Sequence, residues 1–181
     1  MISIRHAALD ERKKTYEWYC NIAEQDNEKK WTVGQEYTWE EYVEDFEDYY
    51  FEKSGRKRGA VMIIEEDGEE IGCMCYSCFH LKPSAAELDI WMRDEKYCEK
   101  GRGTKAIELL IEYLKKEQDM KKFLIRPAGS NLRAIRAYEK AEFRHVKDKK
   151  AAIDAYLLEE YKEVYGDGDY GFENTAVMVL E

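Results

Sequence analysis

Apolar positions along this chain switch between a two-residue and a three-to-four-residue period, and the switches predict an alternation of strands and helices. Ile2-Ser3-Ile4-Arg5 alternates and predicts a first strand. A helix follows from Asp10, an acceptable N-cap, with Tyr16, Tyr19, Cys20 and Ile22-Ala23 as its apolar positions. Residues 29–35 read as a loop. Thr38-Trp39-Glu40-Glu41 forms a capping box, with Thr38 at the N-cap and Glu41 at the third helical position. It opens a second helix carrying Tyr42, Val43, Phe46, Tyr49 and Tyr50 at helical spacing. Residues 54–59 form a turn or loop. Two β-like runs, 60–65 and 70–78, flank Glu66-Asp67-Gly68, and an Asp-Gly pair in that setting predicts a hairpin.

The second half alternates more regularly. A strand over 87–92 leads through a loop to an amphipathic helix over 104–116, whose face is Ala106, Ile107, Leu110, Ile111 and Leu114. Next come a strand over 122–125, a helix over 131–140 and a strand over 143–147. An acidic, helical insertion over 151–165 is broken by Gly166-Asp167-Gly168-Asp169, and 174–180 is a final strand. Antiparallel strands first and βαβ units later predict one α/β (α+β) domain over 1–181, a central mixed, mostly antiparallel sheet flanked by helices.

Two local patterns carry chemistry. Lys100-Gly101-Arg102-Gly103-Thr104 lies between a strand and a long helix. Glycines there let the backbone approach a bulky anion, and the free N–H groups and positive dipole end of the helix face it. Such a unit holds a pyrophosphate. The second is Ser130-Asn131-Leu132-Arg133-Ala134-Ile135-Arg136-Ala137-Tyr138, ending in Glu139-Lys140-Ala141-Glu142-Phe143, where Asn131 can cap the helix.

With both in order, the chain resembles the GNAT superfamily of acetyl-CoA-dependent N-acetyltransferases over about 85–146, its implied acetyl-CoA-binding core. Within it, Leu88-Asp89-Ile90-Trp91 and the two motifs look most like the aminoglycoside 6'-N-acetyltransferases. The resemblance implies the acyl-CoA N-acyltransferase fold, acetyl-CoA as co-substrate and no metal. It places the cofactor against Ile90, Trp91, Met92, Lys100, Gly101, Arg102, Gly103, Thr104, Asn131, Ala134 and Tyr138. It also puts Tyr138 near the thioester sulfur, where a phenol can protonate the departing thiolate.

The chain departs from the family pattern in three places. Cys98 stands where Gln or Arg is usual, and Glu142 replaces the glycine that ends the helix. Arg126 replaces an aspartate that helps hold a polycationic substrate in the resembled enzymes. A cation there repels one ammonium of an amino sugar unless Glu87 or Glu142 neutralises it.

Glu87 and Asp89 alternate along one strand and so share a face. Either carboxylate can take a proton from an attacking ammonium, and Asp89 matches the acidic position of the resembled strand. Backbone N–H near Ile90–Met92 would polarise the thioester carbonyl. Residues 36–51 hold seven acids, seven aromatics and no Lys or Arg, which makes Tyr37, Trp39 and Glu41 candidates on the substrate side with Asp89 and Arg126. Cys73, Cys75 and Cys78 follow strand alternation without a second ligand pair, so neither zinc nor a Cys–His80 nucleophile is expected.

The net charge of −10, from 39 acidic and 29 basic residues, disfavours nucleic acid and anionic membrane and favours a cationic small molecule. No apolar run reaches the roughly 20 residues of a membrane span. Five cysteines with no signal-peptide pattern at the N-terminus predict free thiols in the cytoplasm, in a monomer or homodimer. The expected reaction is acetyl transfer from acetyl-CoA to a primary amine of a small cationic acceptor, possibilities including an aminoglycoside-like amino sugar. The alternatives are a protein or peptide N-acetyltransferase and a non-catalytic acyl-CoA-binding module.

Overall fold

A computed structural model describes residues 1–25, 37–98 and 100–181, with the backbone alone for 22–25. The expected loop at 29–35 lies outside the described residues. The hairpin around Asp67-Gly68 is the seed of the sheet. Strand β2 (Gly59–Glu66) pairs antiparallel with β3 (Glu69–Ser77), and the turn between them holds Asp67 at φ 52° and Gly68 at φ 86°. Positive φ at both central residues is what a two-residue hairpin turn demands, and Asp-Gly supplies it at low cost.

Strand β1 (Ile2–His6) pairs antiparallel with β2, and β4 (Ala85–Met92) does so with β3. Beyond β4 lie β5 (Lys122–Ile125), β6 (Arg144–His145) and β7 (Met178–Leu180), giving the order β1-β2-β3-β4-β5-β7-β6. Among the described strands only β4 and β5 run parallel, and they pair from Ala85 to Glu87 against Lys122 to Leu124. Past Glu87 the two strands part.

Helices cover both faces. Helix α1 (Arg12–Gln25) and α2 (Trp39–Asp45) lie on one side, where Trp18, Tyr50 and Phe51 pack on Val61, Ile63, Cys73 and Trp91. Helix α3 (Arg102–Gln118) and α4 (Leu132–Lys140) lie on the other, with Ile107, Leu110 and Leu114 against Met62, Ile64 and Met74. Burial on both faces explains why β2 reads as a continuous apolar run rather than an alternation. Helix α5 (Lys149–Tyr156) and the short α6 (Lys162–Tyr165) complete the chain.

Several elements differ from expectation, among them the strand expected over 143–147, which is only Arg144–His145. The second helix stops at Asp45, and Tyr49 and Tyr50 fall in a separate 3-10 turn over Asp48–Phe51. The buried guanidinium of Arg12 takes the Phe46 and Val43 carbonyls (Nη2 to Val43 O, 3.3 Å) and the Asp48 carboxylate at 2.8 Å, so it caps α2 from outside. The helical insertion is broken at Leu157, which is fully buried in extended backbone and bridges to Leu81. Strand β7 starts at Met178, later than the predicted 174.

Helix α4 ends without its glycine, as the sequence implied. Glu142 takes the left-handed position at φ 70°. Its N–H reaches the Glu139 carbonyl at 3.0 Å, and the Phe143 N–H reaches the Tyr138 carbonyl at 3.0 Å. That is a Schellman closure, with Phe143 packed 6.4 Å (ring centroids) from Tyr138. The cap therefore also fixes the helical turn that carries Tyr138.

Candidate active site

The parting of β4 and β5 opens a cleft of about 1830 Å³. A pocket for one drug-sized ligand is roughly 300–1,000 Å³, so this cleft can hold two substrates together. The Arg93 N–H bonds Ile71 on β3, so by alternation the N–H groups of Ile90 and Met92 face the open side. Ile90 N–H is taken by the Asp89 carboxylate at 2.8 Å, however. Of the stretch expected to polarise a carbonyl, Met92 carries the amide that remains on that side. The Trp91 side chain is in the core, its indole nitrogen donating to the Thr15 carbonyl at 3.3 Å.

At one end of the cleft, α3 begins at Arg102 with Gly101 as a left-handed N-cap at φ 76° and Lys100 at φ 52°. The first helical bond runs from Lys105 N–H to the Gly101 carbonyl, which leaves the Arg102, Gly103 and Thr104 N–H groups without helical acceptors. A Cβ built on Gly101 meets nothing within 4 Å, and one on Gly103 meets only Ile90 Cδ1 at 3.8 Å. The side chains of this loop play different parts. Arg102 is drawn off the cleft by Glu66 at 2.8 Å, and Thr104 Oγ1 donates to the Ala137 carbonyl at 3.3 Å, tying α3 to α4. Asn131 caps α4 by accepting the Ala134 N–H at 3.1 Å. Lys100, Arg133, Arg136 and Lys140 make this end basic.

The other end is acidic and aromatic. Asp89 is exposed into the cleft, where the surrounding protein walls, with Asp169 next, lift its carboxyl to about 7 against the Ile90 N–H bond. Tyr138 is 4% exposed, and its hydroxyl makes no hydrogen bond among the described residues. Burial and then the Asp89 charge keep its phenol protonated well above the usual range. Two of the three groups expected to transfer protons, Asp89 and Tyr138, thus line one cavity.

Glu87 is placed differently. Its oxygens accept from Arg126 at 2.6 and 2.9 Å, and one also meets His80 Nε2 at 2.6 Å. Burial would raise its carboxyl, but Arg126 and His80 outweigh that and hold it at about 2. With both oxygens committed, Glu87 is not placed as a free base. Arg126 correspondingly does not present an open cation to a substrate; its side chain is 7% exposed and paired.

The candidates before and within α2 separate. Tyr37 lines the cleft and donates to Asp45 at 2.5 Å. Glu41 reaches the cleft wall, but its carboxylate closes the capping box on Thr38 at 2.7 and 2.9 Å. Trp39 is off the cleft, stacked at 6.2 Å on Tyr42 with Lys13 over its ring at 4.5 Å. Sequence reasoning missed Asp169, Tyr170, Tyr19 and Asp45, all of which line the cleft. In the sequence, Gly166-Asp167-Gly168-Asp169 signals only a break in the helix. Burial and the neighbouring Glu87 raise the Asp169 carboxyl, and burial with Asp89 raises the Tyr170 phenol. No group of three or more His, Cys, Asp or Glu suited to a metal occurs among the described residues. No described helix is long and apolar enough to cross a membrane.

Residues 2–144 match the model of the acetyltransferase (GNAT) domain family, and the chain belongs to that family. Over 61 residues it is 39% identical to an aminoglycoside N(6')-acetyltransferase type 1 of Klebsiella pneumoniae, covering 34% of this chain and 30% of that protein. The same identity and length hold for a kanamycin resistance protein of Rhizobium radiobacter, 56% of which is covered. The matches thus span under a third to about half of these curated relatives. Among solved structures, aminoglycoside acetyltransferase AAC(6')-Ib in complex with coenzyme A superposes with a TM-score of 0.66 at 21% identity, covering 99% of this chain and 94% of that one. The ribosomal L7/L12 alpha-N-protein acetyltransferase RimL does so at 0.65 and 17%, covering 99% and 93%. At such identities the superpositions establish the fold.

Proposed function

We propose that this chain is an acetyl-CoA-dependent N-acetyltransferase acting on a primary amine of a small cationic acceptor, with an aminoglycoside-like amino sugar as the leading class. The observation that carries this is the polarity of this cleft. Spare helix amides and Lys100, Arg133, Arg136 and Lys140 suit a phosphorylated donor at one end. Asp89, Asp169 and Asp45 among tyrosines suit an ammonium at the other. The names of the aminoglycoside relatives support the acceptor class.

Acetyl-CoA fits the donor end, because the cradle at Gly101 and Gly103 is space that a Cβ would enter. When bound, it supplies a thioester carbonyl open to attack by an amine. Asp89 takes the proton from the ammonium, the Met92 N–H faces the side where a carbonyl would lie, and Tyr138 returns a proton to the departing sulfur. Holding both substrates in one cleft supplies much of the rate by proximity. Thiol release from acetyl-CoA, measured against amines, diamines, aminoglycosides and basic peptides, tests the reading. Activity on basic peptides alone would move the acceptor to protein, and release with none of them would leave a binding module.

Gly103→Val should weaken CoA binding about tenfold or more, roughly 1.4 kcal/mol, by calorimetry. A Cβ at this position meets only Ile90 Cδ1 at 3.8 Å, so an unchanged affinity would take the pyrophosphate away from this loop.

The pH profile tests Asp89. A base must be ionised, and a carboxyl at about 7 is mostly protonated below that pH, so kcat/KM should fall as pH drops through it. Asp169→Asn removes a neighbouring anion, lowers the Asp89 value and should shift this acid limb to lower pH. An unmoved limb would separate Asp169 from Asp89.

A further inference from the structure

Arg126 is nearly enclosed and makes three hydrogen bonds to two partners. It holds Glu87 with two parallel bonds at 2.6 and 2.9 Å and donates from Nη1 to the Tyr165 carbonyl at 2.5 Å. Glu87 also binds His80, whose ring lies 5.2 Å from that of Tyr165. From Tyr165 the chain enters a turn with Gly168 at φ 69° and Gly171 at φ 77°, which sends Asp169 and Tyr170 into the cleft.

The far end of this turn is tied to the residues just after Arg126. Ala128 bridges to Thr175, and the Gly129 N–H meets the Asn174 carbonyl at 2.6 Å. The Thr175 hydroxyl, in a 3% exposed residue, bonds Gly171 and Asp167 carbonyls at 2.9 and 3.2 Å. A Cβ on Gly168 would press on Thr175 at 3.1 Å. Residues 126–129 therefore grip the segment at both ends, and the guanidinium is the side-chain member of the grip.

We propose that Arg126 is a positioning residue that holds residues 165–171 against β4, so that Asp169 and Tyr170 form the acceptor wall beside Asp89. The grip needs a guanidinium. Its planar fork meets both Glu87 oxygens while a further N–H reaches the Tyr165 carbonyl, a geometry an ammonium on a flexible stem does not reproduce. Because Glu87 neutralises Arg126, the pair adds no net charge to the cleft. Its effect on the acceptor is carried by where it puts Asp169 and Tyr170.

The acceptor part of this inference rests on the function proposed above, so the test carries a readout independent of turnover. Arg126→Lys keeps the charge. It should raise amide hydrogen exchange over 165–171, raise the acceptor KM about tenfold and leave CoA affinity unchanged. Asp169→Asn should raise the acceptor KM in the wild type but add little in Arg126→Lys, because the wall is already displaced. If Arg126→Lys does not fold, the pair Arg126→Met with Glu87→Met removes both buried charges together and takes its place. Unchanged exchange over 165–171, or fully additive KM effects, would overturn the positioning role. A wild-type protein that acetylates no amine, yet shows the exchange change in Arg126→Lys, would sink the proposed function and leave the grip standing.

Discussion

Tyr138→Phe should lower kcat about 10²-fold while leaving CoA affinity within about twofold. A thiolate leaving an acetyl group needs a proton at the moment the amide forms, and a positioned acid supplies roughly that factor, about 2.7 kcal/mol. The Tyr138 hydroxyl is free of hydrogen bonds among the described residues, and burial beside Asp89 keeps it protonated at any pH where the protein is assayed. Phe retains the ring that packs against Phe143 at the end of α4, so the helix and its cap should be preserved. Single-turnover kinetics with saturating acetyl-CoA would read the chemical step directly. Wild-type turnover in this variant would return Tyr138 to core packing. Tyr170, another cleft tyrosine that feels the Asp89 charge, would then be the acid to test.

What could be read in the sequence was what depends on neighbours along the chain. The Gly101–Thr104 loop, the Asn131 cap and Tyr138 lie within two strand-to-helix transitions, where spacing alone sets direction. The Asp67-Gly68 turn and the missing glycine at Glu142 are local in the same way. Features that depend on distant pairing stayed hidden. Arg12 caps α2 across 34 residues at Phe46, and nothing near Asp45 announces that the helix ends. Glu41 was legible as a cap and as a cleft acid, and only the fold shows the cap using the carboxylate. Asp169 and Tyr170 sit far along the chain from Asp89, in a run whose glycines signal a turn but not its direction. The register of Cys75 opposite Asp89 likewise sets which face of β3 floors the cleft, and it follows from pairing rather than composition.

Arg126→Asp should destabilise the protein by about 3–5 kcal/mol and abolish acetyl transfer through loss of structure. Read from sequence, the cation at this position opposes a polycationic acceptor, and an aspartate there would restore one. The structure meets the exception that the sequence allowed, because Glu87 neutralises the guanidinium with two bonds across 39 residues. Breaking a buried pair by removing one partner leaves the other charge uncompensated, which costs about 3–5 kcal/mol. An aspartate adds to this by facing Glu87 and Asp169, and the Tyr165 carbonyl loses its donor. Urea unfolding would read the loss as a lower midpoint at similar slope. Adding Glu87→Arg to Arg126→Asp restores opposite charges with the strands exchanged, and should recover part of the stability but not the bond to Tyr165. The single variant unfolding at the wild-type midpoint would show that the pair contributes nothing. Full recovery of both stability and acceptor KM in the exchanged pair would show that its charge, rather than its reach to residues 165–171, is what the cleft requires.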